Sequence, residues 1–211
     1  MGAAKRIPAI VSVVLLICAV QLLTACGRAE TGQTVATEGY SVTDITGRTV
    51  HFDTPPQRIV TLSSTLDQIV LSVAPPERMV AVNMSMKDPI NSNMVEVAEQ
   101  VEKTIQRPSV EYIVSLHPDI VLIADWQYLE LADPLRESGL NVVVGRGPHN
   151  LAEVRDLVRL TTDAIGESRR GDILLRKMDE KLSEITEKVQ SIPESERKSV
   201  VFLSLMSTYG G

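Results

Sequence analysis

The side chains that could perform chemistry are few and lie far apart in the sequence. His51, His117 and His149 are the only histidines, and none of them belongs to an HxxxH or HExxH motif. A zinc or manganese site requires three or four clustered nitrogen, oxygen or sulfur ligands. The sequence shows no such cluster and therefore predicts no site for a bare metal ion. His117, before Pro118, is expected to cap the carbonyl end of a helix, and His149 is a weak candidate for contact with a ligand.

Four carboxylates, Asp67, Glu111, Asp119 and Asp125, could in principle act as general acids or bases. No nucleophile is paired with a base in the sequence, and no motif makes these four residues converge. Asp119 directly follows Pro118, a position typical of a turn. We therefore expect that the protein is not an enzyme.

Two arginines and a tryptophan are candidates for contact with a ligand. The guanidinium groups of Arg107 and Arg146 can pair with several oxygens of an anionic chelate, or they can lie on the solvated surface. Trp126 can lie against a flat or apolar ligand, or it can pack beneath its own loop. Lys87 is a further cation in a predicted loop.

The remaining candidates surround a predicted helix start and the loop that follows the next strand. Backbone N–H groups of Ser63, Ser64 and Thr65 can bind an anion, although helix capping by Ser64 explains the pattern equally well. Asn83 begins a loop that contains Met84, and methionine more often fills gaps than binds metal. None of these loops is a GxGxxG motif or a P-loop.

The elements that must position these residues alternate between strands and helices. Four short runs are almost continuously apolar, as is typical of parallel strands covered on both faces, and they span residues 59–62, 79–82, 120–123 and 141–144. Helices are predicted over residues 65–73, 110–116, 129–138 and 151–165. This order predicts an α/β sandwich with right-handed crossovers. Ligands of such sheets bind at the carboxyl ends of the strands, where the loops contain the candidate residues.

Regular structure is also predicted before and after this alternating region. Residues 40–52 are predicted to form a β-hairpin with Gly47 at the exit of its turn. Beyond Gly166, apolar residues recur at steps of three and four, which predicts a helix of about six or seven turns that ends at Pro193. Its apolar stripe consists of Leu175, Met178, Leu182, Ile185, Val189 and Ile192. Residues 198–203 are then predicted to form one more strand.

The start of the sequence has the layout of a secretory signal. A basic start and a largely apolar stretch over residues 7–20 precede the sequence LTAC, which ends at Cys26 and resembles a bacterial lipobox. In that class of signals, residues 1–25 are removed and the cysteine becomes the lipid-modified first residue. An uncleaved membrane anchor and an ordinary signal with a chance cysteine are the alternatives. Residues 26–39, which are polar and rich in glycine and threonine, are predicted to form the lipidated flexible tether.

Composition disfavours several classes of function. The chain has 211 residues, of which 44% are hydrophobic and 23% charged, so it can fold around a core. Its formal net charge of −6 and its aromatic content of 3% disfavour nucleic-acid binding. Its two cysteines, Cys18 and Cys26, are too few for a disulfide-rich scaffold or a cysteine-based zinc finger.

The order of these segments resembles the substrate-binding lipoproteins of ABC importers for iron-siderophores, haem and cobalamin. The resemblance covers residues 40–211 and is most specific in PSVEYIVSLHPDIVLIA, a helix followed by Pro-Asp and a strand. It also rests on the hairpin region VTDITGRTVHFDTPPQRIVTLSS and on the later segment KSVVFLSL. Proteins of that family have two α/β lobes joined by one long rigid helix, with the ligand between the lobes.

The resemblance implies the domain boundaries. Residues 40–165 would form an N-terminal lobe, residues 166–192 a bridging helix, and residues 199–211 the start of an incomplete second lobe. The expected fold is therefore α/β: a parallel-sheet sandwich lobe with an N-terminal hairpin, a long bridging helix and the first strand of a second α/β lobe. A second lobe of about 100 residues is expected from ordinary domain size, so the sequence is expected to be truncated after the helix.

The resemblance also implies a function, that of a receptor held by lipid on the outer face of the bacterial cytoplasmic membrane. Such a receptor captures a metal chelate, with a ferric siderophore as the first choice, and delivers it to the permease of an ABC importer. Cobalamin or haem binding, and a half-fold interaction lipoprotein without ligand, are the alternatives. No resident cofactor is implied, and the complete protein is expected to be monomeric.

The resemblance gives roles to particular residues. The expected ligand contacts are Ser63, Ser64, Thr65, Asn83, Met84, Arg107, Trp126 and Arg146. In the family, an acidic residue at one position of each lobe docks onto arginines of the permease, and Glu111 matches that position in the first lobe. The alternative is that Glu111 lies at a helix start only because the helix dipole favours a carboxylate there.

Overall fold

The computed structural model describes residues 39–201, so the predicted signal peptide, Cys26, the predicted tether up to residue 38 and residues 202–211 of the expected second lobe lie outside the described residues. An antiparallel hairpin is followed by one sheet of parallel strands. The hairpin consists of β1 (Tyr40–Thr43) and β2 (Thr49–Phe52); the sheet consists of β3 (Ile59–Thr61), β4 (Met79–Asn83), β5 (Lys103–Ile105), β6 (Ile120–Ala124) and β7 (Val142–Gly145).

The strand order is β5-β4-β3-β6-β7, and every pairing in this sheet is parallel. The predicted parallel α/β sheet is therefore confirmed. Strand β5 was not predicted, because its three residues include only one buried apolar side chain, Ile105. The carboxyl ends of all five strands meet at one edge, which we call the carboxyl edge and define by the residues that directly follow each strand.

Helices connect the strands and cover both faces of the sheet. They are α1 (Ser64–Val73), α2 (Val95–Ala98), α3 (Val110–Ser115), α4 (Ala132–Glu137), α5 (Leu151–Ala164) and α6 (Ser168–Gln190). One apolar core lies where α1, α5 and α6 pack on the sheet and includes Leu66, Leu157 and Leu175. The second core includes Ile113 of α3 and Leu135 of α4. Because both faces are covered, the four strands other than β5 are mainly apolar rather than alternating.

Helix α1 begins one residue earlier than its predicted cap implied. Ser63, not Ser64, is the N-cap, and its Oγ accepts a hydrogen bond from the backbone N–H of Leu66 at 3.3 Å. Ser64 is instead the first helical residue. Both serines are capable of capping, and the extended backbone of Ser63 at the end of β3 decides between them.

The hairpin is held against β7 by a buried aspartate. Asp44 Oδ1 accepts from the N–H of Thr46 at 2.8 Å, while Oδ2 accepts from the N–H of Val144 at 3.1 Å and from Arg136 Nη2 at 2.7 Å. Gly47, at φ +79°, completes the predicted turn in a conformation that glycine adopts without strain. These bonds place the hairpin turn beside the carboxyl edge.

The Pro-Asp signature before β6 has a structural role. Asp119 Oδ2 accepts from the backbone N–H groups of Gln57 at 2.7 Å and Arg58 at 2.8 Å, which fixes the start of β3 beside β6. The prediction that His117 caps the helix carbonyls is wrong. Arg58 donates to the carbonyls of Leu116 at 2.6 Å and His117 at 2.7 Å, and its longer side chain reaches them from the neighbouring strand.

The base of the long helix α6 is fixed to the lobe by Arg78. Its guanidinium donates to Glu167 Oε1 at 2.6 Å and to the carbonyl oxygens of Ile165 at 2.6 Å and Pro56 at 2.6 Å. Gly171 adds a close approach to Thr162 of α5, where a Cβ atom would clash. The junction between α5 and α6 is therefore held by directional contacts as well as by apolar packing.

The distal half of α6 leaves the lobe. Leu175 is buried, whereas Ile185 and Val189 are each 48% exposed. Residues 198–201 are irregular, so the strand predicted from residue 198 does not begin in the described part of the chain. A strand requires a paired neighbour, and none of the strands in residues 39–201 pairs with this segment. Within residues 39–201, no helix has the length and apolar character needed to cross a membrane.

Candidate ligand-binding edge

The strand order brings the expected contact residues to the carboxyl edge in a defined sequence. Arg107 follows the outer strand β5, and Met84 follows β4. Ser63 to Thr65 follow the central strand β3, Trp126 follows β6, and Arg146 follows the other outer strand, β7. A guanidinium group thus lies towards each side of the edge, with hydroxyl, thioether and aromatic groups between them.

Trp126 forms a half-exposed platform in the β6–α4 connection. Its ring lies on Gly147, where a Cβ atom would come within 2.8 Å of Trp126 Cε3. Asp125 Oδ1 accepts from the N–H of Gly147 at 2.7 Å and so links the loops that follow β6 and β7. Trp126 as a whole is 46% exposed. One part of the ring is therefore supported by backbone while another is open to a ligand, and sequence reasoning missed both Asp125 and Gly147 in this role.

The central helix start is partly occupied by its own cap. Ser63 is 1% exposed, and its Oγ is engaged with Leu66, so its side chain is a structural cap. Ser64 is half-buried and Thr65 is exposed. Of the three predicted residues, Thr65 is the most accessible to a ligand at this helix start.

Asn83 and Met84 form the adjacent turn. Asn83 Oδ1 accepts from the N–H and the hydroxyl of Ser85, at 3.1 Å and 2.8 Å, and it thereby caps a short 3₁₀ turn over Met84–Lys87. Met84 is 46% exposed, whereas Met86 is fully buried in the core. The Lys87 ammonium lies 3.6 Å from a carboxylate oxygen of Glu99. Met84 is thus the accessible apolar group of this turn.

The two arginines are exposed and differ in their surroundings. Within residues 39–201 neither Arg107 nor Arg146 forms an ion pair. Arg146 borders a cleft of about 260 Å³ between the hairpin turn and α5. This cleft has Ile45, Leu157 and Leu160 among its lining residues. His149 is bound locally, since its N–H and ring Nδ1 contact Glu153 Oε2 at 2.6 Å and 3.2 Å.

Glu111 lies on the surface in the first turn of α3. The N-cap Ser109 accepts from the N–H of Tyr112 at 3.2 Å. Hydrogen bonding from the backbone N–H of Glu111 itself and from the Ser109 hydroxyl lowers the pKa of the Glu111 carboxyl below its usual value. Glu111 is therefore an exposed, ionised carboxylate at neutral pH.

A fully buried carboxyl, Asp67, lies just beneath the carboxyl edge. Its Oδ1 is 2.5 Å from Thr61 Oγ1, and its Oδ2 accepts from the N–H of Asn83 at 2.7 Å. Burial raises the pKa of Asp67 to about 7, against the opposing effect of these hydrogen bonds. The sequence marked Asp67 only as a candidate acid or a capping residue, because its partner Asn83 is distant in sequence.

No cluster of three or more histidine, cysteine, aspartate or glutamate side chains suited to a metal ion occurs in the described residues. The groups that the carboxyl edge presents are instead an aromatic surface, a thioether and two guanidinium groups.

The fold defines the class of protein: an α/β lobe of the type found in periplasmic binding proteins. The family model for periplasmic binding proteins matches residues 59–210, most of the chain, and the chain belongs to that family. It is 26% identical over 195 residues to YvrC of Bacillus subtilis strain 168, an uncharacterized ABC transporter substrate-binding lipoprotein. That alignment covers 88% of this chain and 60% of YvrC.

Solved structures show the same fold at low identity. Heme binding protein HmuT matches with a TM-score of 0.59 and 22% identity, over 74% of this chain and 50% of HmuT. A periplasmic heme binding protein from Pseudomonas aeruginosa matches with a TM-score of 0.53 and 17% identity, over 63% of this chain and 46% of that protein. The chain therefore spans about half the length of these structures and 60% of YvrC.

Proposed function

We propose that the chain is part of a lipid-anchored, extracytoplasmic substrate-binding protein that captures a metal chelate and delivers it to an ABC importer permease. The observation that carries this proposal is the Trp126 ring, supported by Gly147 and open at the carboxyl edge. Family membership and the name of the relative YvrC support the importer role. The proposed role is capture and delivery, without chemical conversion of the ligand.

The width and chemistry of the edge support a chelate as the ligand. Five strands at a spacing of about 4.8 Å give an edge of roughly 19 Å, which is broad enough for a large chelate. Met84 and Trp126 offer apolar contact near its middle, while Arg107 and Arg146 offer bidentate donors towards its sides. This pattern suits a ligand with an apolar or flat body and an oxygen-rich periphery. We take a ferric siderophore as the first candidate and haem or cobalamin as the alternatives.

Fluorescence titration of the full-length protein tests the ligand class. Trp126 is the single tryptophan of this chain, and the difference in emission between the wild type and Trp126→Phe isolates its signal in the longer protein. Ferric tris-catecholate, ferric tris-hydroxamate, hemin and cyanocobalamin form the panel, and saturable quenching by one of them is expected. A Trp126→Phe variant measured by calorimetry separates binding from optical artefacts. A folded protein that binds none of the four would favour the interaction lipoprotein without ligand.

Membrane attachment through Cys26 is tested by fractionation. The lipobox-like sequence before Cys26 motivates this part of the proposal, and the relative YvrC is named as a lipoprotein. Cys26→Ala should release the protein from the membrane fraction or leave its precursor unprocessed. Cys18→Ala is the matched control, because Cys18 lies in the segment expected to be removed. Normal processing and membrane attachment of Cys26→Ala would refute lipidation.

A further inference from the structure

Asp67 is a buried carboxyl that the proposed contacts at the carboxyl edge do not use. It connects three elements: it belongs to α1, Thr61 ends β3, and Asn83 ends β4. In the described part of the chain, no lysine, arginine or histidine lies within ion-pair distance of it. Burying a carboxylate without a cation is costly, so its position requires a compensating role or a neutral state.

The elements packed against α1 offer Asp67 little charge. Strands β3, β4 and β6 contain no titratable side chain, and the turn Met84–Lys87 contains only Lys87, which pairs with Glu99. The charged residues of α5 are at least partly exposed, and several have contacts elsewhere; they are Glu153, Arg155, Asp156, Arg159 and Asp163. On α6, Arg170 donates to the carbonyl of Val73, at the far end of α1. Burial is therefore the dominant influence on the pKa of Asp67.

The hydrogen bonds around Asp67 can be satisfied in both protonation states. When Asp67 is ionised, Oδ1 accepts from the Thr61 hydroxyl and Oδ2 accepts from Asn83 N–H. When it is neutral, the proton on Oδ1 can be donated to Thr61 Oγ1, and the Thr61 hydroxyl can donate to the Ser63 carbonyl, 3.3 Å away. Oδ2 still accepts from Asn83 in that state. A proton can thus be gained or lost without leaving a buried donor unpaired.

We propose that Asp67 is a positioning and specificity residue, which holds the Asn83 turn at the carboxyl edge and takes up one proton when an anionic ligand binds there. An ionised Asp67 beneath the start of α1 opposes a nearby anion, and a neutral Asp67 does not. The linkage is reciprocal: the bound anion favours protonation of Asp67, and protonation of Asp67 raises the affinity for the anion. This inference rests on the proposed function only for the nature of the ligand.

The positioning part is tested without ligand, on the full-length protein. Asp67→Ala removes the acceptor of the Asn83 N–H, so amide hydrogen exchange at Asn83 should become much faster. Asp67→Asn retains a carbonyl acceptor and can donate to Thr61, so it should keep exchange at Asn83 close to that of the wild type. Unchanged protection in Asp67→Ala would overturn the proposal, whereas fast exchange in Asp67→Ala with rescue in Asp67→Asn supports it.

The charge-coupling part is tested with two chelates of different charge. For the wild type, affinity for the anionic ferric tris-catecholate should be about tenfold weaker at about pH 8 than at about pH 6, which is the limit for one coupled proton near neutrality. Affinity for the neutral ferric tris-hydroxamate should change little. Asp67→Asn should remove the dependence for the anionic chelate, and an unaltered profile in that variant would overturn the coupling. If neither chelate binds while the exchange results hold, the proposed ligand class fails and the positioning role stands.

Discussion

At the residue scale, the contact between Trp126 and Gly147 determines what the edge can present to a ligand. Gly147→Ala would place a methyl group within 2.8 Å of the indole and push the ring from its support. We expect a shifted tryptophan emission maximum and chelate affinity reduced by about fivefold to tenfold, since an aromatic contact contributes about 1 kcal/mol. Trp126→Phe, which keeps a flat ring, should lose less affinity than Gly147→Ala. Unchanged emission and affinity in Gly147→Ala would contradict this account of the platform.

Asp67 also makes folding stability depend on pH. Because burial raises its pKa to about 7 in the folded protein, its contribution to stability is fully present below the usual aspartate pKa near 4 and is lost as the pH rises through about 7. Asp67→Asn avoids this loss. Urea unfolding should therefore show the variant more stable than wild type at about pH 8, by about 1–4 kcal/mol, with the difference disappearing towards pH 4. A difference that is independent of pH would exclude titration of Asp67 as its cause.

The sequence predicted the positions of individual residues better than the contacts that those residues make. The position of Trp126 beyond a strand follows from the apolar run before it, but its support by Gly147 depends on the order of β6 and β7. The capping of the helix before β6 was predicted for His117, whereas Arg58 performs it from just before β3, a strand that is distant in sequence but adjacent in the sheet. Such contacts depend on tertiary arrangement, which local propensity does not contain.

At the scale of elements, Arg78 is predicted to be the residue that fixes α6 to the lobe. Its guanidinium and the Glu167 carboxylate are 10% and 19% exposed, so removing the charge leaves two carbonyls without this donor and leaves Glu167 with only Arg170, 3.6 Å away. Arg78→Met should lower the free energy of unfolding by about 3–5 kcal/mol, measured by denaturant titration. Arg170→Met is the comparison variant: Arg170 also joins α6 to α1 through the Val73 carbonyl, but it is 55% exposed, so its loss should cost only about 1 kcal/mol. Equal costs for the two variants would contradict the role given to Arg78.

Helices with a regular spacing of apolar residues were predicted well, whereas short or unpaired strands were not. The three-and-four spacing after Gly166 predicted a helix that the structure places at Ser168–Gln190. Strand β5 has three residues and one buried side chain, so its pairing with β4 outweighs a weak local signal. The segment from residue 198 has a strong strand pattern and no partner strand among the described residues, and it is irregular as far as residue 201. Whether a short segment forms a strand therefore depends more on an available partner strand than on its own sequence pattern.

At the scale of the whole molecule, parallel βα units place ligand contacts and helix starts on the same side. The residues that follow β5 run from Arg107, a proposed ligand contact, to Ser109 and Glu111 at the start of α3. Glu111 therefore lies at the border of the carboxyl edge, while Glu137, at the end of α4, lies towards the amino ends of the strands. A partner that approaches the carboxyl edge would meet Glu111 and not Glu137.

Docking of Glu111 onto permease arginines is the last prediction, and it depends on the importer function. Glu111→Arg reverses an exposed charge, so the protein should still fold, with a slightly lower melting temperature, and should bind the chelate normally. Uptake in cells should be abolished, because like charges would then face the permease. Glu137→Arg is the control, since it makes the same charge reversal on an exposed residue at the opposite side. If Glu111 serves only the helix start, Glu111→Arg would lower the melting temperature slightly and leave transport intact. Normal uptake by a folded Glu111→Arg protein at wild-type abundance would therefore exclude docking through this carboxylate.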